Sequence, residues 1–81
     1  MHARFEKMFK KLPLKIREQF FKRVDIFVRD SQDPILNNHS VENSYPGRFS
    51  INVTGDYRAL YEQIDLNVTF MKIGTHPQLY R

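Results

Sequence analysis

The chain has 81 residues and no cysteine, and 13 Lys and Arg against nine Asp and Glu give it a net charge of +4. This length predicts one domain over residues 1–81, without room for a large cofactor pocket. The lack of cysteine excludes disulfides and thiolate metal sites. No apolar run approaches the ~20 residues of a membrane-spanning helix. The first residues are charged throughout, so we expect no signal peptide and a cytoplasmic location.

The positive charge is concentrated in the first part of the chain. Residues 1–30 carry nine basic and four acidic side chains, a net charge of +5, whereas residues 31–81 carry four basic and five acidic, a net charge of −1. This asymmetry indicates a polyanionic partner, either nucleic acid or an acidic protein. A solvated helical face rich in Lys and Arg would have the same composition.

The spacing of apolar residues predicts two helices. Phe5, Phe9 and Leu12 form a helical stripe over residues 4–12. Pro13 ends this helix and suits the first turn of a second one, over residues 14–30, where Phe20 belongs to another apolar face. Two amphipathic helices joined at a proline need a third surface to cover their apolar stripes.

A change to two-residue alternation predicts three strands, over residues 48–54, 57–64 and 68–75. Short turns join them, so we predict an α+β fold in which an N-terminal helical hairpin packs on a small antiparallel sheet. Residues 31–47, rich in Asn, Ser, Pro and Gly, form the connection. Because this is long for a structureless loop, we expect it to be functional or held in place by contacts.

The alternation also predicts the two faces of the sheet. It directs Ile51 towards the helices and Ser50 away from them, and in the last strand it places Phe70 and Lys72 together on the polar and aromatic face. Two histidines outside the predicted strands are able to project onto this second face: His39 and His76.

Polar residues at strand ends and in loops match what RNA cleavage without a metal requires. A base must accept the proton of the ribose 2′-OH, an acid must protonate the departing 5′-oxygen, and cations must stabilise the charge on phosphorus. Imidazole titrates near neutral pH and suits both proton transfers, while arginine binds two phosphate oxygens at once. Aromatic rings hold unstacked bases. The candidates are His39, Arg48, Asp56, Tyr57, Arg58, Lys72, His76 and Tyr80.

Each candidate also has a structural interpretation. His76 precedes a proline and suits a short final turn capped by Thr75. Histidines in Asn-rich loops, such as His39, are more often hydrogen-bonding residues than catalysts. Asp56 suits a turn, and Tyr57 shares a predicted strand face with core residues. Three scattered histidines lack metal-ligand spacing, so we expect no metal and no other cofactor.

Three segments together resemble one family over nearly the whole chain. They are FEKMFKKLP at 5–13, PGRFSINVTGDYRALYE at 46–62 and KIGTHPQLY at 72–80. In this order they are similar to the RelE/ParE superfamily of type II toxins, above all its YafQ branch. The resemblance implies a small basic α+β ribonuclease that cuts messenger RNA in the ribosomal A site without a metal. It also implies a cognate antitoxin partner, and no membrane.

The resemblance implies roles for individual residues. His76 matches the histidine of the Gly-Thr-His ending and would be the general acid. His39 and Asp56 match active-site residues of the YafQ branch, and one of them would be the general base. Arg58 matches a family arginine and would hold phosphate, and Tyr80 matches the terminal aromatic residue and would stack on a base. By residue type, further candidates for binding RNA or its phosphates are Arg48, Asn52, Tyr57 and Lys72.

The chain departs from the family pattern in two places. Asn52 and Ser50 replace titratable or basic residues of the family, and the first strand of the family is reduced to residues 1–3. Two alternatives therefore stay open beside the ribonuclease. One is a non-catalytic, ParE-like toxin that binds gyrase, and the other is an attenuated relative that mainly binds its antitoxin.

Overall fold

The structure, a computed structural model, describes residues 2–80. Two helices are followed by a four-stranded sheet and a short third helix, which confirms the predicted α+β class. In chain order the elements are α1 Ala3–Lys10, α2 Leu14–Arg29, a 3₁₀ turn Pro34–Leu36, β1 His39–Ser40, β2 Phe49–Asn52, β3 Tyr57–Ile64, β4 Asn67–Thr75 and α3 His76–Leu79. Within residues 2–80, no helix has the length and apolar content needed to cross a membrane.

The N-terminal helices begin and end close to where periodicity predicts. His2 caps α1, because its Nδ1 accepts the backbone N–H of Arg4 at 3.2 Å. Pro13 precedes α2 as its N-cap instead of entering its first turn. Met1 lies outside the described residues, and Ala3 is already helical. The predicted short first strand is therefore absent from residues 2–80, since the His2 cap starts a helix there.

The sheet is antiparallel with strand order β1-β2-β3-β4. Strands β2 to β4 form the predicted meander. Strand β1 was not predicted, because two residues within an irregular connection carry no alternation. It pairs with β2 so that His39 lies opposite Ser50 and Ser40 opposite Phe49. This pairing fixes His39 at the edge of the sheet.

The core lies between the sheet and the face of α1 and α2, and aromatic rings dominate it. Phe20 of α2 contacts Phe5 with ring centroids 5.2 Å apart and Phe70 at 5.1 Å. All three side chains are buried. The buried cluster comprises Phe5, Phe20, Leu36, Ile51, Val53, Ala59, Tyr61, Phe70 and Ile73. Burying a side chain of this size contributes about 1.5–3 kcal/mol, so these residues supply most of the hydrophobic stabilisation.

A β-bulge corrects the prediction that Phe70 lies on the polar face. Leu60 lies opposite Lys72 and Tyr61 lies opposite Phe70, so Met71 is an extra residue in β4. One extra residue reverses the direction of the alternation. Phe70 and Ile73 therefore both reach the core, although simple alternation separates them.

The opposite face of the sheet has a smaller apolar layer of its own. Leu60 and Leu79 are buried but do not belong to the core cluster. Leu79 lies in α3, which folds back against β4. Ser50, on the same face, is also buried. These three buried residues form a small floor beneath the surface where the candidate site lies.

Contacts hold the long connection in place, as its length predicts. Leu36 is fully buried in the core. The Tyr61 hydroxyl donates to Asn38 Oδ1 at 2.9 Å, and Arg23 Nη1 donates to the Ile35 carbonyl at 2.8 Å. Further on, Glu42 Oε2 accepts the Gly47 N–H at 2.6 Å and closes the loop between β1 and β2.

Candidate active site

A cleft of about 530 Å³ opens on the face of the sheet away from α1 and α2. Its lining comes from β1 and the loop after it, from β2 and β3, and from α3. The residues of this main cleft are His39, Ser40, Val41, Glu42, Asn43, Ser44, Ser50, Arg58, His76 and Tyr80. Four predicted site residues, from three separate segments, therefore share one cleft: His39 of β1, Arg58 of β3, and His76 and Tyr80 at the two ends of α3.

His39 is held in one tautomer by the turn that precedes it. Its Nδ1 lies 2.7 Å from the Asn37 carbonyl oxygen. Because a carbonyl only accepts, this nitrogen carries the proton, and Nε2 of the neutral ring has a free lone pair. Asn37 itself has a left-handed backbone, with φ of 45°, which asparagine tolerates better than most residues. The arrangement suits His39 to accept a proton through Nε2.

His76 begins α3, where a capping box fixes the helix. Thr75 Oγ1 accepts the Gln78 N–H at 3.4 Å, and Gln78 Oε1 accepts the Thr75 N–H at 2.9 Å. The Gln78 side chain passes over Gly74, where an added Cβ would lie 2.8 Å from Oε1. The structural and catalytic interpretations of His76 are compatible, because the cap that builds the turn also positions the exposed imidazole.

Arg58 is anchored at one end of its guanidinium. Its Nη1 donates to three backbone carbonyls at 2.9, 3.0 and 3.1 Å, those of Thr54, Gly55 and Tyr57. Among the described residues, Nε and Nη2 have no hydrogen-bond acceptor. A guanidinium fixed in this way presents its remaining donors with little loss of side-chain entropy, which suits a phosphate.

Tyr80 lies next to His76 in the main cleft and close enough to Arg58 to feel its charge. Its ring centroid is 4.5 Å from that of His76. Burial raises the pKa of the Tyr80 phenol, while a hydrogen bond with Ser50 and the charge of Arg58 oppose this shift. The hydroxyl therefore stays protonated at neutral pH. Tyr80 contributes an aromatic surface and a neutral donor, and no negative charge next to Arg58.

Asp56 and Tyr57 lie outside the main cleft. They line a second hollow of about 440 Å³ together with Gly55, Thr75, His76 and Pro77. We call it the Asp56 hollow. Tyr57 is half-buried and packs against the core, as its strand face predicts, and the Asp56 side chain is exposed. Among residues 2–80, His76 is the one residue that lines both depressions.

Besides Tyr57, three further predicted RNA-binding residues are not brought to the main cleft. Arg48 forms an ion pair with Glu62 at 3.1 Å. Lys72 Nζ lies 4.8 Å from the centroid of the Tyr45 ring. Asn52 Oδ1 is buried without a hydrogen-bond partner among the described residues. Contacts within the chain account for Arg48 and Lys72, and the assignment of all three to RNA stays a prediction.

The structure adds residues that sequence reasoning missed. Ser50 forms part of the floor, and residues 40–44 form one side of the cleft. Tyr45 supports the site from behind: its hydroxyl donates to the Leu79 carbonyl, and its ring packs edge-on against Tyr80, with centroids 5.8 Å apart. Recognising that residues 39–41 pair with residues 48–50 as a hairpin would have predicted these cleft residues. The irregular composition of the segment between them gives no such pattern.

Within the described part of the chain, no three His, Asp or Glu side chains cluster closely enough to hold a metal ion. The groups that the main cleft offers for chemistry are two imidazoles, one guanidinium and one phenol. This set can move protons and bind an anion. Glu42 adds one carboxylate, which the Gly47 N–H already engages.

Comparison with known proteins finds the same architecture in bacterial toxins. The chain superposes on YafQ from Escherichia coli with a TM-score of 0.83 and 17% identity, covering 99% of this chain and 93% of that one. The E. coli DinJ–YafQ toxin–antitoxin complex gives 0.80 and 17%, covering 99% and 92%. A copper-bound mutant toxin from Helicobacter pylori gives 0.72 and 16%, covering 98% and 93%.

No protein-family model and no curated protein sequence matches the chain. The likeness therefore lies in the arrangement of helices and strands and covers nearly the full length of each chain. The segments at residues 5–13, 46–62 and 72–80 predicted this arrangement. The chain has the fold of the RelE/YafQ-type toxins.

Proposed function

We propose that this chain is the toxin of a type II toxin–antitoxin pair and an endoribonuclease that cuts messenger RNA in the ribosomal A site. The observation that supports this most is the convergence of His39, Arg58, His76 and Tyr80 in one cleft. These residues come from three segments of the chain, β1, β3 and α3 with its C-cap. They supply a proton acceptor, a phosphate ligand, a proton donor and an aromatic ring.

The proposed reaction is a transesterification. Nε2 of His39 takes the proton of a ribose 2′-OH, and the 2′-oxygen attacks the adjacent phosphorus. The bond from phosphorus to the 5′-oxygen breaks, and His76 gives its proton to that oxygen. The products are a 2′,3′-cyclic phosphate and a 5′-hydroxyl. Arg58 neutralises the charge that builds up on the phosphoryl oxygens, and each positioned proton transfer contributes about 10²–10⁴-fold.

The tautomer of His39 makes it a better candidate for the base than Asp56. The Asn37 carbonyl leaves His39 Nε2 free in the main cleft. Asp56 lines a different hollow. We therefore assign the base to His39, where the sequence alone left both residues open.

The proposed partners follow from the fold and the charge. In the DinJ–YafQ complex a toxin of this fold is bound by an antitoxin, and we propose a cognate antitoxin for this chain. The net charge of +5 in residues 1–30 suits an acidic protein segment or ribosomal RNA. Action on translating ribosomes places the chain in the cytoplasm.

The test is induction in a bacterium with mapping of messenger 5′ ends, for the natural chain and the variants His76→Ala and His2→Ala. We expect cuts within translated codons that disappear in His76→Ala. His2→Ala is the matched control, because His2 caps α1 on the other side of the molecule, and its cuts should persist. Persistent cuts in His76→Ala would refute the assigned acid. Growth arrest without cuts would favour a non-catalytic toxin, and no arrest an attenuated one.

A further inference from the structure

The two depressions on either side of His76 differ in what they offer a ligand. The main cleft contains Arg58, His39 and Tyr80. The Asp56 hollow has a carboxylate, the ring of Tyr57 and the ring of Pro77, and among residues 2–80 it has no Arg or Lys. The guanidinium of the main cleft suits a phosphate, and a hollow with a carboxylate and apolar sides suits the uncharged donors of a nucleoside.

The geometry of phosphoryl transfer places two nucleosides on opposite sides of the reacting phosphorus. The attacking 2′-oxygen and the departing 5′-oxygen lie roughly in line through phosphorus, so the base and the acid also lie on opposite sides. His39 and Arg58 are in the main cleft, and His76 separates it from the Asp56 hollow. The nucleoside that His76 protonates thus departs towards the Asp56 hollow.

We propose that the Asp56 hollow is a binding site for the nucleotide immediately 3′ of the cut, an inference that rests on the proposed function. Its volume of about 440 Å³ falls in the range of pockets that hold small ligands. Asp56 accepts a hydrogen bond from a hydroxyl or amino group of that nucleotide, and Pro77 and Tyr57 cover its apolar surface. Gly55 leaves the floor open, since an added Cβ there meets nothing within 4 Å.

This role differs from the two that the sequence suggests for Asp56. As a general base, Asp56 would have to reach the 2′-OH on the far side of His76. As a turn residue, it would act only through its backbone, whose N–H donates to Thr54 Oγ1 at 3.2 Å. A binding role concerns the side chain alone and affects only one position of the RNA.

The first test measures binding without cleavage, by amide chemical shifts of the isotope-labelled chain. The probe is the RNA dinucleotide ApA with its upstream 2′-oxygen methylated, which the enzyme cannot cut, and the control is adenosine 3′-monophosphate. We expect the dinucleotide to shift the amides of residues 55–57 and 75–76 in addition to those of residues 39–44. The mononucleotide should shift only the amides of residues 39–44. If both ligands leave residues 55–57 unshifted, the proposed site is refuted.

The second test compares cleavage preferences on programmed ribosomes for Asp56→Asn and for Asp65→Asn. Asp65 is an exposed aspartate in the remote β3–β4 turn with φ of 55°, so it is a matched control. We expect Asp56→Asn to change the relative rates for different nucleotides 3′ of the cut by about tenfold. Preferences 5′ of the cut and the Asp65→Asn profile should stay unchanged.

The other outcomes are separable. Loss of all cutting in Asp56→Asn would identify it as the general base and refute the binding role. An equal slowing at every codon would leave it a turn residue and also refute that role. If the natural chain makes no cuts, the proposed function fails, and the chemical-shift experiment still decides whether the Asp56 hollow binds the second nucleotide.

Discussion

The two faces of the sheet are built from different interactions. On the helical face, nine buried side chains form one cluster in which aromatic rings contact each other at 5–6 Å. On the cleft face, a small apolar floor lies beneath loops and a four-residue helix that are held by individual hydrogen bonds. Hydrophobic burial thus stabilises one face, and directional contacts arrange the other.

Stability and the proposed cleavage should therefore depend on different faces of the sheet. Removing a core side chain lowers the free energy of unfolding of the whole molecule by about 2–5 kcal/mol, because burial is shared by every element that contacts the cluster. Removing one hydrogen bond on the cleft face costs only about 1 kcal/mol, yet it displaces a group to which we assign a role in the proposed reaction. Substitutions on the two faces should therefore affect stability and cleavage in different proportions.

The largest expected effect is on the helical face. Phe20 is 1% exposed, whereas its neighbour Phe21 is 53% exposed. We expect Phe20→Ala to lower the free energy of unfolding by about 3–5 kcal/mol, much of the 5–15 kcal/mol typical of a whole domain. Phe21→Ala should cost about 1 kcal/mol or less. Urea denaturation followed by circular dichroism measures both. Equal losses would mean that the cluster around Phe20 is not the core.

The next largest effect concerns Arg23, which links α2 to the long connection at residues 31–47. Arg23 Nη1 donates to the Ile35 carbonyl at 2.8 Å and to the Asn52 carbonyl at 3.4 Å, so α2 holds both the long connection and β2. We expect Arg23→Ala to cost about 1.5–3 kcal/mol, the value of hydrogen bonds from a charged donor.

Arg29→Ala is the matched control for Arg23→Ala. Arg29 pairs with Asp25 on the exposed surface of the same helix, and such pairs contribute about 0–1 kcal/mol. Urea denaturation compares the two variants. A cost for Arg23→Ala no larger than for Arg29→Ala would show that α2 does not hold the connection.

A substitution that disturbs α3 should have a smaller effect on stability and a larger effect on RNA cleavage. A Cβ at Gly74 would lie 2.8 Å from Gln78 Oε1, whereas at Gly55 it meets nothing within 4 Å. Gly74→Ala therefore displaces Gln78 and breaks the capping box, at a cost of about 1 kcal/mol, and shifts His76. We expect cleavage on programmed ribosomes to fall about tenfold or more, with Asp65→Asn in the remote β3–β4 turn near the natural rate. A Gly74→Ala variant that cuts normally would show that the capping box does not position His76.

Sequence reasoning succeeded where one period describes an element and failed where contacts between elements decide. The helical spacing of Phe5, Phe9 and Phe20 predicted both N-terminal helices. Phe70 was placed on the wrong face because a single bulged residue reverses the alternation, and no local pattern marks a bulge. Strand β1 has two residues and no period at all.

The site was predictable in composition and not in arrangement. The resemblance at residues 72–80 identified His76 and Tyr80, and the structure brings both to the main cleft. Asp56 lies beyond His76, and Arg48 pairs with Glu62. Both facts depend on where loops and neighbouring strands meet. The tautomer of His39 depends on one carbonyl two residues away. The spacing of residues along the sequence does not specify contacts of this kind.

The smallest predicted effect tests Tyr61, whose ring belongs to the core while its hydroxyl holds the connection through Asn38. Burial raises the pKa of Tyr61 above its ordinary value of 10.0, and the hydrogen bond to Asn38 partly opposes this. The neutral phenol thus favours the folded state. Its contribution is complete below the pKa of the unfolded chain and is lost as pH rises through the higher pKa of the folded chain.

We therefore expect the free energy of unfolding to fall as pH rises above 10, and to fall less steeply in Tyr61→Phe. At neutral pH this variant should cost about 1 kcal/mol for the lost hydrogen bond. Asn38→Ala removes the same bond but keeps the phenol, so it should retain the alkaline slope. Urea denaturation from pH 7 to 11 compares the three chains. If Tyr61→Phe keeps the full slope, another group causes the alkaline loss; if it costs nothing at neutral pH, the hydrogen bond to Asn38 does not stabilise the connection.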